Sequence, residues 1–276
     1  MTGHKFSPQT LREYDIRGTF GETLKPDDAF ALGRSFGTIL ARRDGRLVCV
    51  GYDGRVSSPE LETRLIDGLR ASGMEVLRSG LGPPPSLYFA TKAMHADGGI
   101  MVTGSHNPPN HNGFKMMMGG ASFWGEDIQK LGAISSAGDW VEGDGSVRDV
   151  ALMDTYVARL RVDYTASKGR KVAWDAGNGS AGEAMVRLTK QLPGQHILMN
   201  ETIDGTFPSH HPDPTVPENL APPQDADAKH GSDLGTAFAG DGDRLAVVDG
   251  QGRIVSGAQT MSSHDRDLLA LLPRRA

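Results

Sequence analysis

The chain has 276 residues, of which 38% are hydrophobic and 23% are charged, with a formal net charge of −5. These fractions are those of an ordinary soluble protein, and at about 150 residues per domain the length predicts two domains. The acidic balance argues against nucleic acid or a membrane as a partner, and the start of the chain has no apolar signal core, so we expect a cytoplasmic protein.

The first half of the chain alternates short apolar runs with helical patterns. Pro26, Asp27 and Asp28 suit the first turn of a helix over about 26–42, because proline loses no hydrogen bond there and carboxylates favour the positive end of the helix dipole. The run "RLVCVG" predicts a buried strand that holds the lone Cys49 as a buried thiol. The remaining predicted elements are a helix from Ser58 to Gly73, a strand "MEVLRSG", a helix "SLYFATKAMH" and a strand "GGIMVTG". This order predicts an α/β domain with largely parallel pairing.

Between residues 133 and 149 the periodicity is lost, which predicts a domain boundary and gives domains 1–143 and 144–276. The second unit is again α/β. Its predicted elements are a helix over about 150–162, a strand "KVAWD", a helix to about 192, a strand "LGTAFAG" and a strand "LAVVD". Pro222 and Pro223 argue against a helix in the segment "LAPPQDADAKHG". The C-terminus is expected to be irregular.

The segment "IMVTGSHNPPNHNGFK" places Ser105, His106 and Lys115 on a stiff loop just after a predicted strand. Ligands of such sheets lie beyond the carboxyl ends of the strands. Taken singly, Ser105 is a typical turn residue and His106 a typical hydrogen-bonded loop residue. Their coincidence with a lysine favours a catalytic loop.

A second cluster is the acidic turn at Asp241, Asp243 and Arg244. The turn residues could simply close a hairpin, because Asp-Gly favours positive φ and apolar strands flank it. Alternatively, the two carboxylates could bind Mg²⁺ and Arg244 could bind phosphate. The spacing leaves these two interpretations open.

Three other segments are weaker signals. "EYDIRG" contains Tyr14 and Arg17, and "GYDGR" contains Arg55; either arginine could be a surface residue in an ion pair. "WDAGNGSAG" is similar to a phosphate-binding turn, but a structural turn between strand and helix is the favoured interpretation.

Seven motifs occur in the order found in the α-D-phosphohexomutases. In chain order they are "EYDIRG", "GYDGR", "TGSHNPPNHNGFK", "GEDI", "WDAGNGSAG", "HHPDPT" and "GDGDR". The chain most resembles the bacterial phosphomannomutase/phosphoglucomutase branch of that family, from about Leu11 to about Gly257. The resemblance implies two consecutive three-layer α/β/α domains with mixed, largely parallel sheets. Family members have four domains, so the third and fourth are expected to be absent from this sequence.

The resemblance also implies chemistry. Ser105 matches the serine that is carried as phosphoserine and exchanges its phosphoryl group with a hexose 6-phosphate or hexose 1-phosphate through a hexose 1,6-bisphosphate. Lys115 matches the general acid/base, and His106 and Arg17 line the site. Tyr14, Arg17, His106, Lys115 and Arg244 are the implied substrate contacts. Mg²⁺ is the implied cofactor, with Ser105, Asp241 and Asp243 as ligands.

One departure concerns the metal. The family loop reads Asp-Gly-Asp-Gly-Asp-Arg, whereas Ala239 stands at its first position here. Loss of a residue that only hydrogen-bonds to a metal ligand already weakens metal binding about 10- to 100-fold. Because Ala239 removes a ligand itself, we expect weak Mg²⁺ binding. Three functions stay open: an impaired mutase, a catalytically silent chain that binds sugar phosphate or a partner chain, and a phosphatase-like hydrolase. Surface left uncovered by the missing domains predicts self-association.

Overall fold

The computed structural model describes residues 2–162, 164 and 168–262. The strands are β1 Ile16–Thr19, β2 Leu47–Tyr52, β3 Glu75–Leu81, β4 Gly98–Val102, β5 His111–Met118, β6 Ala121–Ser122, β7 Val147–Asp149, β8 Arg170–Asp175, β9 Gly194–Met199, β10 Leu234–Phe238, β11 Leu245–Asp249 and β12 Ile254–Val255. The helices are α1 Pro26–Ala41, α2 Ser58–Ala71, α3 Pro84–Ala93, α4 Glu126–Ala137, α5 Met153–Val162, α6 Gly182–Thr189 and α7 Ala221–His230. Two α/β units therefore follow each other along the chain, as the sequence predicts.

The first sheet has the strand order β1-β5-β4-β2-β3-β7, with β6 paired to β5. Its centre, from β4 through β2 and β3 to β7, is parallel, whereas β5 pairs antiparallel with β4 and β1. A mixed sheet is thus confirmed. The predicted buried thiol is also confirmed, because Cys49 is fully buried and burial raises its pKa to about 11.

The first sheet reaches beyond residue 143, where the sequence predicts the domain boundary. Val147–Asp149 pairs with Val76–Arg78 as a parallel edge strand. All three residues of this strand are exposed, so no alternation of apolar and polar side chains marks it in the sequence.

The second sheet has the order β12-β11-β10-β8-β9, with β8 parallel to both β9 and β10. The two units pack together where the ring of Phe89 on α3 lies 5.8 Å from that of Tyr156 on α5. In the part of the chain that the structure describes, no helix is both long and apolar enough to cross a membrane.

The expectation that prolines prevent a helix after Leu220 is wrong. Pro222 and Pro223 lie in the first turn of α7, where a missing N–H costs no hydrogen bond. Pro223 is buried and packs on Gly235, so the strand offers it a surface without a side chain. At the other end of this domain, residues 257–262 are helical, and the rest of the C-terminus that we expect to be irregular, 263–276, lies outside the described residues.

Candidate active site

The candidate site forms where the carboxyl ends of parallel strands from the two sheets face each other. Thr103 and Ser105 follow β4, and the turn at 239–244 joins β10 to β11. Asp241 accepts a hydrogen bond from Thr103 Oγ1 at 3.1 Å, so the two loops are in contact across the domain boundary. This is the sheet edge where α/β proteins bind ligands.

Ser105 has an unusual backbone. Its φ is +54°, in the left-handed region that a residue with a Cβ seldom adopts, and the residue is only 3% exposed. The Ser105 amide donates to Thr103 Oγ1 at 2.8 Å, while the Gly104 amide donates to Asp53 at 3.1 Å. These bonds hold the loop in one conformation.

The hydroxyl of Ser105 faces groups from the second domain. Arg244 donates from its guanidinium to Ser105 Oγ at 2.9 Å, and Ser105 Oγ lies 3.5 Å from Asp241 Oδ1. The same guanidinium nitrogen lies 2.5 Å from His106 Nδ1. Burial, and then the charge of Arg244, lower the pKa of His106, so its imidazole is neutral and accepts this hydrogen bond.

Lys115 bridges the two carboxylates of the acidic turn. Its ammonium lies 2.7 Å from Asp241 Oδ2 and 2.5 Å from Asp243 Oδ2. Burial works to lower the pKa of Lys115, but the two carboxylates outweigh it and the pKa is raised. Burial raises the pKa of the fully buried Asp241, against the effect of the ammonium, whereas the ammonium outweighs burial at Asp243 and lowers its pKa.

Arg17 reaches the same loop from β1. It donates to the Gly104 carbonyl at 3.2 Å and to Asn107 Oδ1 at 3.1 Å, and it pairs with Asp15 at 2.5 Å. Arg17 is only 5% exposed, so the alternative interpretation of Arg17 as a surface residue is wrong. Tyr14, by contrast, is 76% exposed, and its ring stacks on Trp124 with centroids 6.0 Å apart.

Seven of the eight predicted site residues are therefore linked by direct contacts or through the Ser105 loop: Arg17, Ser105, His106, Lys115, Asp241, Asp243 and Arg244. Tyr14 is not part of this set of contacts. The acidic turn is both a hairpin and a cluster of charged side chains, because Phe238 pairs with Leu245 while both aspartates face Lys115. The two interpretations of the turn are compatible.

The turn "WDAGNGSAG" forms hydrogen bonds with the backbone of the acidic turn. The Ser180 amide donates to the Gly240 carbonyl at 2.9 Å, and Ser180 Oγ donates to the Asp241 carbonyl at 3.2 Å. Gly179 lies so close to Gly240 that a Cβ on it would come within 2.5 Å of the Gly240 oxygen. These contacts favour the structural interpretation of this turn.

The donor atoms fit Mg²⁺ only in part. Asp241 and Asp243 offer carboxylate oxygens, and Mg²⁺ is often bound by one or two carboxylates together with phosphate oxygens. Ala239, which is fully buried, contributes no ligand oxygen from its side chain. Within residues 2–162, 164 and 168–262, no three or more His, Cys, Asp or Glu side chains form a group that could hold a metal ion.

Arg55 is a residue whose place sequence reasoning missed. Its side chain is fully buried beneath the Ser105 loop, not exposed in a surface ion pair. The signals in the sequence are its place in the motif "GYDGR" and its position after the β2 strand, at the same sheet edge as Ser105. The identity of its partners, which are backbone carbonyls, leaves no trace in a sequence.

Two family models match the chain. The model described as phosphoglucomutase/phosphomannomutase, alpha/beta/alpha domain I, matches residues 8–142. The model for alpha/beta/alpha domain II of the same family matches residues 152–252. The two matches follow one another in the order of the two sheets.

Individual proteins agree with these matches. The phosphomannomutase/phosphoglucomutase of Pseudomonas aeruginosa is 40% identical over 266 residues, which are 95% of this chain and 57% of that protein. The phosphoglucomutase of Neisseria gonorrhoeae is 40% identical over 264 residues, with 94% and 57% covered. A crystal structure of a phosphoglucomutase/phosphomannomutase family protein from Burkholderia thailandensis has a TM-score of 0.92 and 40% identity, covering 96% of this chain and 60% of that chain. The chain thus spans a little over half the length of these relatives.

Proposed function

Because the chain belongs to the phosphoglucomutase/phosphomannomutase family, we propose that Ser105 exchanges a phosphoryl group with hexose phosphates, interconverting hexose 6-phosphate and hexose 1-phosphate through a hexose 1,6-bisphosphate. The observation that carries the proposal is the position of Ser105 Oγ. It lies 2.9 Å from the guanidinium of Arg244 and beside an aspartate that binds the ammonium of Lys115.

The proposed step is a substitution at phosphorus. When a hexose 1,6-bisphosphate charges the protein, the bond from phosphorus to Ser105 Oγ forms and the bond from phosphorus to the sugar oxygen breaks. Oγ loses a proton, and the sugar oxygen gains one. Discharge to a hexose monophosphate is the reverse. Such transfers depend on positioning and on charge stabilisation, which suits a serine held in one backbone conformation.

Three side chains have proposed roles in this step. The ammonium of Lys115, which lies in the site beside Asp241 and Asp243, is the proposed donor of a proton to the leaving sugar oxygen. Arg244 contacts Ser105 Oγ and would pair with phosphoryl oxygens. The neutral imidazole of His106 accepts a hydrogen bond from Arg244 and so fixes the direction of its guanidinium. Arg17 and Tyr14 are the proposed further substrate contacts.

Asp241, Asp243 and the phosphorylated Ser105 are the proposed Mg²⁺ ligands. When bound, Mg²⁺ would neutralise negative charge on the transferring phosphoryl group. We propose that this site is weak, because Ala239 removes one carboxylate and because the ammonium of Lys115 already pairs with the other two.

The test is ³¹P NMR of glucose 6-phosphate and, separately, mannose 6-phosphate, each with Mg²⁺ and a trace of glucose 1,6-bisphosphate. The proposal predicts slow appearance of the hexose 1-phosphate signal with the native chain and none with Ser105→Ala. A native chain that broadens or shifts the substrate signal without any conversion would contradict turnover and leave sugar-phosphate binding alone. Release of inorganic phosphate instead would identify a hydrolase.

A further inference from the structure

The guanidinium of Arg55 is completely enclosed, and all its donors are used. Its side-chain exposure is 0%, and its Nε donates to Asp53 at 3.2 Å. The two terminal nitrogens donate to four backbone carbonyls, three in the loop after β4 and one at the start of β5: Ser105 at 2.8 Å, Asn107 at 2.6 Å, Pro108 at 2.5 Å and His111 at 2.9 Å. A single side chain thus adds a donor to each of these four carbonyls, whereas within the segment only the amides of Asn107 and His111 donate, to the carbonyls of Gly104 and Pro108.

We propose that Arg55 is the positioning residue that holds Ser105 in its left-handed backbone conformation and so aims Oγ at Arg244. The inference rests on the proposed function for its catalytic consequence, but not for its structural part. A non-glycine residue at positive φ costs about 1–3 kcal/mol and persists only where its surroundings impose it. The carbonyl of Ser105 itself is one of the four that Arg55 binds, so the constraint acts directly on the strained residue.

Asp53, which directly follows β2, binds both Arg55 and the Ser105 loop. Its Oδ2 accepts from Arg55 Nε and from the Gly104 amide at 3.1 Å, and its Oδ1 accepts from Ser58 Oγ at 2.6 Å. One buried carboxylate therefore fixes both the guanidinium and the residue before Ser105. It also neutralises the buried charge of Arg55, which would otherwise be strongly unfavourable.

A ring from the second domain covers the guanidinium of Arg55. The ring of Phe207 lies 5.2 Å from the Arg55 Cζ atom, a cation–π contact that also excludes water. Gly240, next to Asp241, lies between this ring and the Ser105 loop. A Cβ on Gly240 would come within 3.1 Å of the Ser105 oxygen and 3.3 Å of Phe207 Cζ. Arg55 thus contacts Phe207 of the second domain as well as the Ser105 loop of its own domain.

Lysine cannot replace this arginine. The ammonium of Arg55→Lys would keep the charge, but its three donors point from one atom and cannot reach four carbonyls and Asp53 together. The loop should loosen and Ser105 should lose its fixed direction. Since misplacement of a reacting group by about 1 Å can cost about 100-fold in rate, phosphorylation of Ser105 by glucose 1,6-bisphosphate should slow by about 10- to 100-fold.

Arg34 offers a matched control. It is also a buried arginine, 1% exposed, which donates to the Ala71 carbonyl and lies 5.4 Å from the ring of Trp140. None of these partners belongs to the Ser105 loop. Arg34→Lys should therefore lower stability as a buried arginine substitution does, while leaving the Ser105 loop unchanged.

The experiment compares amide hydrogen exchange of a peptide covering 104–111 in the native chain, Arg55→Lys and Arg34→Lys, together with the rate of Ser105 phosphorylation by intact mass. We expect faster exchange and slower phosphorylation only in Arg55→Lys. Unchanged exchange in a folded Arg55→Lys chain would overturn the inference, and so would equal slowing in both variants. If the native chain is not phosphorylated at all, the proposed function fails, and the exchange data still decide the role of Arg55.

A second variant covers the case in which Arg55→Lys does not fold. Phe207→Leu removes the ring from the guanidinium and leaves every hydrogen bond of Arg55 in place. We expect faster exchange of the 104–111 peptide in Phe207→Leu than in the native chain, because the guanidinium loses the ring that encloses it. No increase in Phe207→Leu, in a chain whose far core exchanges normally, would contradict the proposed coupling between the domains.

Discussion

The ammonium of Lys115 lies 2.7 Å from the buried carboxylate of Asp241, and this contact joins the first sheet to the second. Lys115 is on β5, and Asp241 is in the turn after β10. Thr103 donates to the same carboxylate oxygen at 3.1 Å. Asp241 therefore has three partners from the first domain, Thr103, Ser105 and Lys115, and the relative position of the two loops of the candidate site depends on it.

Replacing Lys115 by methionine should destabilise the protein. Asp241 would keep its burial and lose its cation, and removing one member of a buried pair costs about 3–5 kcal/mol. We expect a loss near the lower end, since Lys115 itself is 18% exposed. Urea unfolding measures it. The double variant Lys115→Met/Asp241→Asn should recover part of the loss; a double variant as unstable as the sum of the single ones would show that the pair is not coupled.

Ala239→Asp should strengthen Mg²⁺ binding. The change restores a third carboxylate to the acidic turn and adds negative charge against which the single ammonium of Lys115 cannot compete. We expect at least about tenfold tighter binding by isothermal calorimetry. Ala239→Asn, which offers a neutral ligand oxygen without the charge, should strengthen Mg²⁺ binding less than Ala239→Asp does. Native affinity equal to that of Ala239→Asp would remove the idea of a weakened site.

The pair His210–Asp175 predicts a pH-dependent stability. His210 Nε2 lies 2.8 Å from Asp175 Oδ2, and this hydrogen bond, opposed by burial, raises the pKa of His210. A histidine with a raised pKa in the folded state contributes stability that is complete below its unfolded value of about 6.5 and is lost as the pH rises through the raised pKa. Above that pKa the ring is neutral and no longer balances the buried carboxylate of Asp175.

His210→Gln measures this contribution, since glutamine donates a hydrogen bond without the charge. The difference in the free energy of unfolding between the native chain and His210→Gln should be largest near pH 6 and should shrink by pH 9. A difference that is constant over this range would mean that the charge of His210 adds nothing.

The sequence predicts those parts of the molecule that local patterns determine. Helix α1 begins at Pro26 as the proline and the two aspartates indicate, and the loop after β4 carries Ser105 at the carboxyl edge of the sheet. Both features depend on residues close together in the chain. The contact of Lys115 with Asp241 spans the two domains, and only the resemblance to a family indicated that these residues share a site.

The features that sequence reasoning missed depend on distant partners. Burial of Arg55 depends on backbone carbonyls of residues 105–111, which are distant in the sequence. The residue type does not predict this burial, because most arginines are exposed. Helix α7 forms despite Pro222 and Pro223 since both fall in its first turn and one packs on Gly235. Its start, and not its composition, decides whether prolines are tolerated.

The central claim is that Ser105 transfers a phosphoryl group, and intact-mass spectrometry of the purified chain tests it most directly. The native chain and Ser105→Ala are measured before and after incubation with glucose 1,6-bisphosphate and Mg²⁺, and any phosphate is located by peptide mapping. We predict one phosphoryl group on Ser105 of the native chain, discharged on adding glucose 6-phosphate or mannose 6-phosphate. A folded native chain whose Ser105 stays unphosphorylated, or whose phosphate no hexose phosphate removes, would contradict the account.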